Sequence, residues 1–82
     1  MKVKEDLLTY VLSKSDLENP NEVPLDKSLL SEGVLDSLGI LELVEYIEEH
    51  WNIRIEDEDF TEETLGSISK MENYITTKLD SI

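Results

Sequence analysis

The sequence predicts an all-α protein: a small four-helix bundle of three long helices and one short third helix, with a long ordered loop between helices one and two. Three observations lead there. Apolar residues recur at helical spacing in three separate stretches. The one stretch that could be read as a strand, Ile53-Arg54-Ile55, has no second stretch with which to pair. At 82 residues the chain suits one core, because two would each be too small to stabilise themselves. Residues 1–82 are therefore expected to form a single domain.

Helix one is expected over about residues 2 to 14. Val3, Leu7, Leu8, Val11 and Leu12 make one apolar stripe there, and Asn19-Pro20 limits its extension because the residue before proline avoids the helical region. The connection from Ser15 to Leu35 contains Pro20, Pro24 and Gly33. A loop of this length inside a small domain tends to be functional. Val23, Leu25, Leu29, Leu30, Val34 and Leu35 are expected to pin it to the helices, with one helical turn over Ser28 to Glu32. The strongest periodic signal runs from Asp36 to Trp51, where Ile40, Leu43, Val44, Ile47 and Trp51 form the core stripe. Asn52 follows as a C-terminal stop. A brief third helix is expected around Asp57 to Thr61, with Phe60 as an anchor. The last helix, from Leu65 to about Leu79, carries Ile68, Met71, Ile75 and Leu79 on its apolar side.

Charge excludes several functions. The chain has 20 acids against 7 bases, a formal net charge of −13. It cannot present a basic surface to phosphate backbones, and an anionic membrane would repel it, so neither nucleic acid nor membrane is an expected partner. Between Glu32 and Glu63 there are 12 acids and one base, Arg54. Concentration of the charge in one central segment points to a docking surface for basic proteins, met by electrostatic steering. The N-terminus lacks the apolar run of a signal peptide and no stretch reaches the length of a membrane span, so a cytoplasmic location is expected. The chain has no cysteine, hence no disulfide, no thiolate metal site and no thiol nucleophile of its own.

Gly33-Val34-Leu35-Asp36-Ser37-Leu38-Gly39 places a serine where the longest helix begins. Asp and Ser are both preferred N-terminal caps, and capping alone would account for an arbitrary Asp-Ser before a helix. The same position favours an anionic phosphate group, because free amides and the positive end of the helix dipole meet there. No activating base stands near Ser37 in sequence. His50 lies thirteen residues along the same helix, about 20 Å away at 1.5 Å per residue, which excludes a serine–histidine hydrolase. Ser37 therefore reads as an acceptor modified by another enzyme. Leu38, Leu41 and Glu45 form a second, narrower line off the core stripe.

At these residues the chain resembles the acyl carrier protein family, the phosphopantetheine-binding carriers that include aminoacyl and peptidyl carriers. The likeness rests on Asp36-Ser37-Leu38 with an ordered loop before it, on ELVEYIEEHWNIRIEDEDF and on LGSISKMENYI, and it covers nearly the whole chain. It implies a non-catalytic carrier domain with a 4′-phosphopantetheine arm on Ser37, delivered from coenzyme A by a phosphopantetheinyl transferase. An acyl- or aminoacyl-loading ligase and downstream biosynthetic enzymes would then use the arm's thiol. By position, Asp36 and Leu38 would flank the attachment site. Leu38, Leu41, Glu42, Glu45, Glu48, Glu49, Ile55 and Glu56 would dock partner enzymes, with the carrier acting as a monomer. Gly39, Glu45 and Tyr46 depart from the common fatty-acid pattern, where an acid, an apolar residue and a small residue are usual. A bulky Tyr46 is expected to fill the space that a long acyl chain would enter, which favours a specialised carrier over the housekeeping fatty-acid one; an aminoacyl carrier would fit. The competing reading is an unmodified acidic helical adaptor that binds a basic protein through helix two.

The remaining candidates carry less. His50 has no second His or Cys with which to hold a metal. Glu56-Asp57-Glu58-Asp59 invites calcium, but a loop counted from Asp57 puts Glu62 and Ile68 where an EF-hand needs glycine and glutamate. Trp51 reads as a packing residue that closes helix two.

Overall fold

A computed structural model describes residues 3–80. Four α-helices run in order: α1 over Val3–Lys14, α2 over Ser37–Trp51, α3 over Glu62–Leu65 and α4 over Ile68–Asp80. Single 3-10 turns stand at Pro20–Glu22 and Asp57–Asp59, and there is no strand among the described residues. Lys2, the expected first residue of helix one, lies outside them.

The core follows the apolar stripes. Val3, Leu7 and Val11 of α1, Leu43, Val44 and Ile47 of α2, and Ile68, Met71 and Ile75 of α4 are buried together. Ile40 and Trp51 pack at the edge of this cluster, half-buried. Side chains three and four apart share a helix face, so three such stripes can meet in one interior. Helix α4 packs mainly on α1 and α3. On the α1–α2 side, Tyr10 stacks on Tyr46 with centroids 4.3 Å apart, Tyr46 stacks on His50 at 5.0 Å, and His50 Nε2 lies 3.0 Å from Asp6 Oδ2. Trp51 meets Tyr46 and His50 edge-on.

Helix α2 ends as its sequence requires. Asn52 takes the left-handed conformation (φ 53°) and its N–H donates to the Glu48 carbonyl, an arrangement that asparagine tolerates better than most residues.

The long connection is ordered from within and from across the chain. Asn19 caps the 3-10 turn, accepting from the Asn21 N–H, while Glu22 accepts from the Asn19 N–H. The turn expected at 28–32 is present, closed by Glu32 N–H to the Ser28 carbonyl and ended by Gly33 at φ +73°. Val23, Leu29 and Leu35 are buried and Leu25 and Val34 half-buried, as the apolar pattern required. Leu30 differs, at 44% exposed. It follows Leu29 within a single turn, and only one of two adjacent side chains can face inward there.

Two boundaries also differ. Residues expected to form a helix over Asp57 to Thr61 instead make the 3-10 turn, and the short helix starts five residues later. Thr61 caps it, its Oγ1 accepting from Thr64 N–H at 3.2 Å, and Glu62 and Glu63 occupy the first turn, where the helix dipole favours acids. Leu65 belongs to this helix. Helix α4 opens at Ile68, behind Ser67, whose Oγ accepts from Lys70 N–H and whose carbonyl accepts from Met71 N–H. Phe60, expected as an anchor, is 45% exposed, because the turn before it is tied down by another aromatic residue: Tyr74 Oη donates to Asp59 Oδ2 at 2.7 Å.

Burial and that hydrogen bond to Asp59 push the Tyr74 phenol up to about 12. In the unfolded chain it titrates near 10. Between these values the folded protein keeps a proton that the unfolded chain has lost, so stability is full below pH 10 and falls as pH rises toward 12. Tyr10 and Tyr46 are raised in the same direction, chiefly by burial. Urea titrations should show this alkaline decline, and Tyr74→Phe should make it shallower. An unchanged slope in the variant would contradict the assignment.

Candidate functional site

The start of α2 is built by Asp36. With φ −90° and ψ −177° it stands outside the helix; its Oδ1 accepts from Gly39 N–H at 2.7 Å and its carbonyl accepts from Ile40 N–H at 3.0 Å. Capping therefore belongs to Asp36. Ser37, the first helical residue, is exposed, and its hydroxyl makes no hydrogen bond among the described residues. The amides of the first turn that Asp36 leaves unsatisfied face outward, with the positive end of the helix dipole. The arrangement offers an accessible hydroxyl at an anion-favouring helix end, with no base beside it. His50, at the far end of the helix, is held by Asp6.

An open apolar cleft of ≈ 390 Å³ lies beside Ser37, which lines it. Ile40, Leu41 and Val44 of α2 form one wall, and Phe60, Leu65 and Gly66 another, with Leu30 from the loop and Thr61 and Glu62 also lining it. Tyr46 takes no part. It is stacked between Tyr10 and His50 on the α1 side, so the expectation that it fills this space is corrected. A position on α2 turns toward either α1 or α3, and the stack draws Tyr46 to α1.

The proposed docking residues divide by environment. Leu38 and Leu41 are 65% and 56% exposed and stand beside the serine. Glu42, Glu45, Glu49 and Glu56 are exposed. Glu48 is half-buried, and its Oε2 accepts from Ile55 N–H at 3.0 Å, so this carboxylate fastens the segment that leaves α2. Ile55 is only 4% exposed and belongs to the core, which leaves its side chain almost no area for a partner. Glu56 lies 3.9 Å from Arg54 Nε, a loose exposed pair of little energetic weight. Sequence reasoning missed Leu30 and Phe60 as surface residues. Together with Leu38 and Leu41 they are the large apolar side chains left exposed among the described residues. The signal available was Phe60's place outside any apolar period, within an acidic run.

Comparison with known proteins agrees with this geometry. The family described as the phosphopantetheine attachment site matches residues 5–75. The D-alanyl carrier protein of Streptococcus suis strain 98HAH33 is 34% identical over 71 residues, 87% of this chain and 87% of that protein. The counterpart from strain 05ZYH33 is 32% identical over the same shares. The acyl carrier protein of Wolinella succinogenes is 31% identical over 77 residues, 94% of this chain and 97% of that one. No solved structure gives a significant match. The chain belongs to the phosphopantetheine-binding acyl carrier family. It is a carrier and not a catalyst, it bears a covalent 4′-phosphopantetheine arm, and it works through partner enzymes such as transferases and ligases. No helix among the described residues is long and apolar enough to cross a membrane.

The division of labour at the helix start has a direct check. Asp36→Ala should lower stability by about 1 kcal/mol through loss of the cap. Ser37→Ala should change it by less than about 0.5 kcal/mol, as exposed substitutions usually do. Urea denaturation of both variants measures this, and the reverse order would assign the cap to Ser37.

Proposed function

We propose that Ser37 Oγ is the attachment point of the phosphopantetheine arm. On this reading the exposed face of α2 around Leu38 and Leu41, rimmed by Glu42, Glu45 and Glu49, receives basic patches of partner enzymes. The observation that carries it is the unpartnered, exposed hydroxyl of Ser37 at the N-terminus of α2, with capping already supplied by Asp36. Attachment replaces the Oγ–H bond with Oγ–P, the adenosine bisphosphate half of coenzyme A leaves, and the proton passes to the transferase. The residues present suit the group. The phosphodiester would sit at the positive helix end, where outward amides await acceptors, and the thiol supplies the nucleophile that a cysteine-free chain lacks. An apolar centre with a charged rim suits contacts that form and dissolve quickly. Glu48 serves by holding the segment after α2 through Ile55 N–H, and Glu56 adds an exposed acid beyond it.

The cargo is an acyl or aminoacyl thioester, presented in a specialised biosynthetic pathway by a monomeric carrier in the cytoplasm. Two relatives named as D-alanyl carriers support the aminoacyl side of this reading. The adaptor alternative gives way because the family's covalent arm is incompatible with an unmodified protein; its basic-partner surface survives as the docking face.

The decisive measurement is intact mass after incubation with coenzyme A, magnesium and a promiscuous phosphopantetheinyl transferase. The parent should gain one phosphopantetheine and Ser37→Ala none; a gain in both would move the attachment point elsewhere. For docking, reversing Glu42 and Glu45 to Lys should slow arm transfer about tenfold at low ionic strength, with a smaller effect in high salt. Glu48 is left intact because its carboxylate holds Ile55. Equal rates for parent and double variant at every salt concentration would refute the docking face.

A further inference from the structure

The cleft beside Ser37 is apolar except at one edge. Of its lining residues only Glu62 carries a charge, and one hydrogen bond orients that side chain. Ser28 Oγ donates to Glu62 Oε1 at 3.1 Å. The other oxygen lies over the Cα of Gly66, so close that a β-carbon at position 66 would collide with it and with the Glu62 carbonyl. Lys70, the nearby cation, donates its Nζ proton to that backbone carbonyl at 3.1 Å. It forms no ion pair with the carboxylate, and neither does any other cation among the described residues. Glu62 thus presents a carboxylate oriented by Ser28 and in contact with no cation, although the Lys70 ammonium stands nearby on its backbone carbonyl, at the exposed edge of a largely apolar cleft.

We propose that the Glu62 carboxylate receives the α-ammonium of an aminoacyl cargo, so that the cleft favours an aminoacyl group with an apolar side chain over a plain acyl chain. The assignment rests on the carrier reading of Ser37 and deepens it by naming the cargo class. A plain acyl chain packed along this edge would cover part of the exposed carboxylate and offer no donor in return, which is unfavourable for an anion to the extent that it loses water. An α-amino group, protonated at neutral pH, supplies both charge and donors. The cargo's side chain would then meet Leu30, Leu41, Phe60 and Leu65. Ser28 and Gly66 are positioning residues in this scheme: one orients the carboxylate, and the other leaves room for it to fold back over α3.

The test uses the full chain loaded on Ser37 by a promiscuous transferase, from coenzyme A analogues bearing alanyl or propionyl groups in hydrolysis-resistant amide linkage. Mass is read first; failure to gain the arm overturns the carrier reading and this proposal with it. Amide chemical shifts are read next. The alanyl arm should shift Thr61, Glu62, Leu65 and Gly66 relative to the propionyl arm, and Glu62→Gln should remove that difference while still accepting the Ser28 bond. Raising salt should reduce cleft occupancy by the alanyl arm about two- to five-fold, the range of a solvent-exposed ion pair. Identical spectra for the two arms over residues 61–66, or a difference that persists in Glu62→Gln, would overturn the proposal while leaving the arm on Ser37.

Discussion

The functional end of this bundle depends on two segments far apart in sequence being joined backbone to backbone. Leu29 N–H donates to the Gly66 carbonyl at 3.1 Å, and Ser69 N–H donates to the Leu25 carbonyl at 3.0 Å. Two side-chain bonds run beside them, Ser28 to Glu62 and Ser69 Oγ to Asp26 Oδ1 at 2.8 Å. A helix of four residues does not form alone, since nucleation fixes several dihedrals for one hydrogen bond. Helix α3 exists because the α1–α2 loop and α4 hold it in place. The same bonds set where the loop delivers Asp36, and therefore where α2 begins. Cleft and serine are positioned by one set of ties, which explains how a chain this small can present both on one side.

The acidic segment divides between structural and surface duty. Asp36, Glu48, Asp59 and Glu62 each accept a hydrogen bond from a backbone or hydroxyl donor. Their charge helps to order the turns around α2 and α3, where caps and strong acceptors are needed. Glu42, Glu45 and Glu49 accept nothing beyond their own helix and face water. They are free to meet a partner, and their mutual repulsion is relieved when a basic surface arrives.

Much of this was legible from the residues. Helices α1, α2 and α4 announce themselves because each buries a full stripe, and period is what sequence displays best. The cap region was half legible: Asp36 and Ser37 are both good caps, and only the 2.7 Å bond to Gly39 N–H separates their roles. Helix α3 was misplaced because it buries a single side chain, Leu65, which gives no period; Thr61 and the glutamates after it were the available clue. Tyr46 was expected in the space for an acyl chain and instead stacks on Tyr10, because spacing along a helix does not say which helix lies opposite. The burial of Ile55 and the tie from Glu48 depend on how the chain turns after Asn52, a three-dimensional matter. Glu62 showed nothing in sequence to distinguish it from Glu63 beside it.

The aromatic clasp at the far end of α2 has a consequence of its own. Trp51 is the chain's single tryptophan. It sits against Tyr46 and His50, fourteen residues and so about 21 Å along the helix from Ser37. Its emission therefore reports on the packing at this end of α2 and the core beneath it, through a spectroscopic channel distant from whatever is tethered at the serine. The molecule carries its own fluorophore for scaffold integrity, so unfolding can be followed without a label whatever cargo the serine carries.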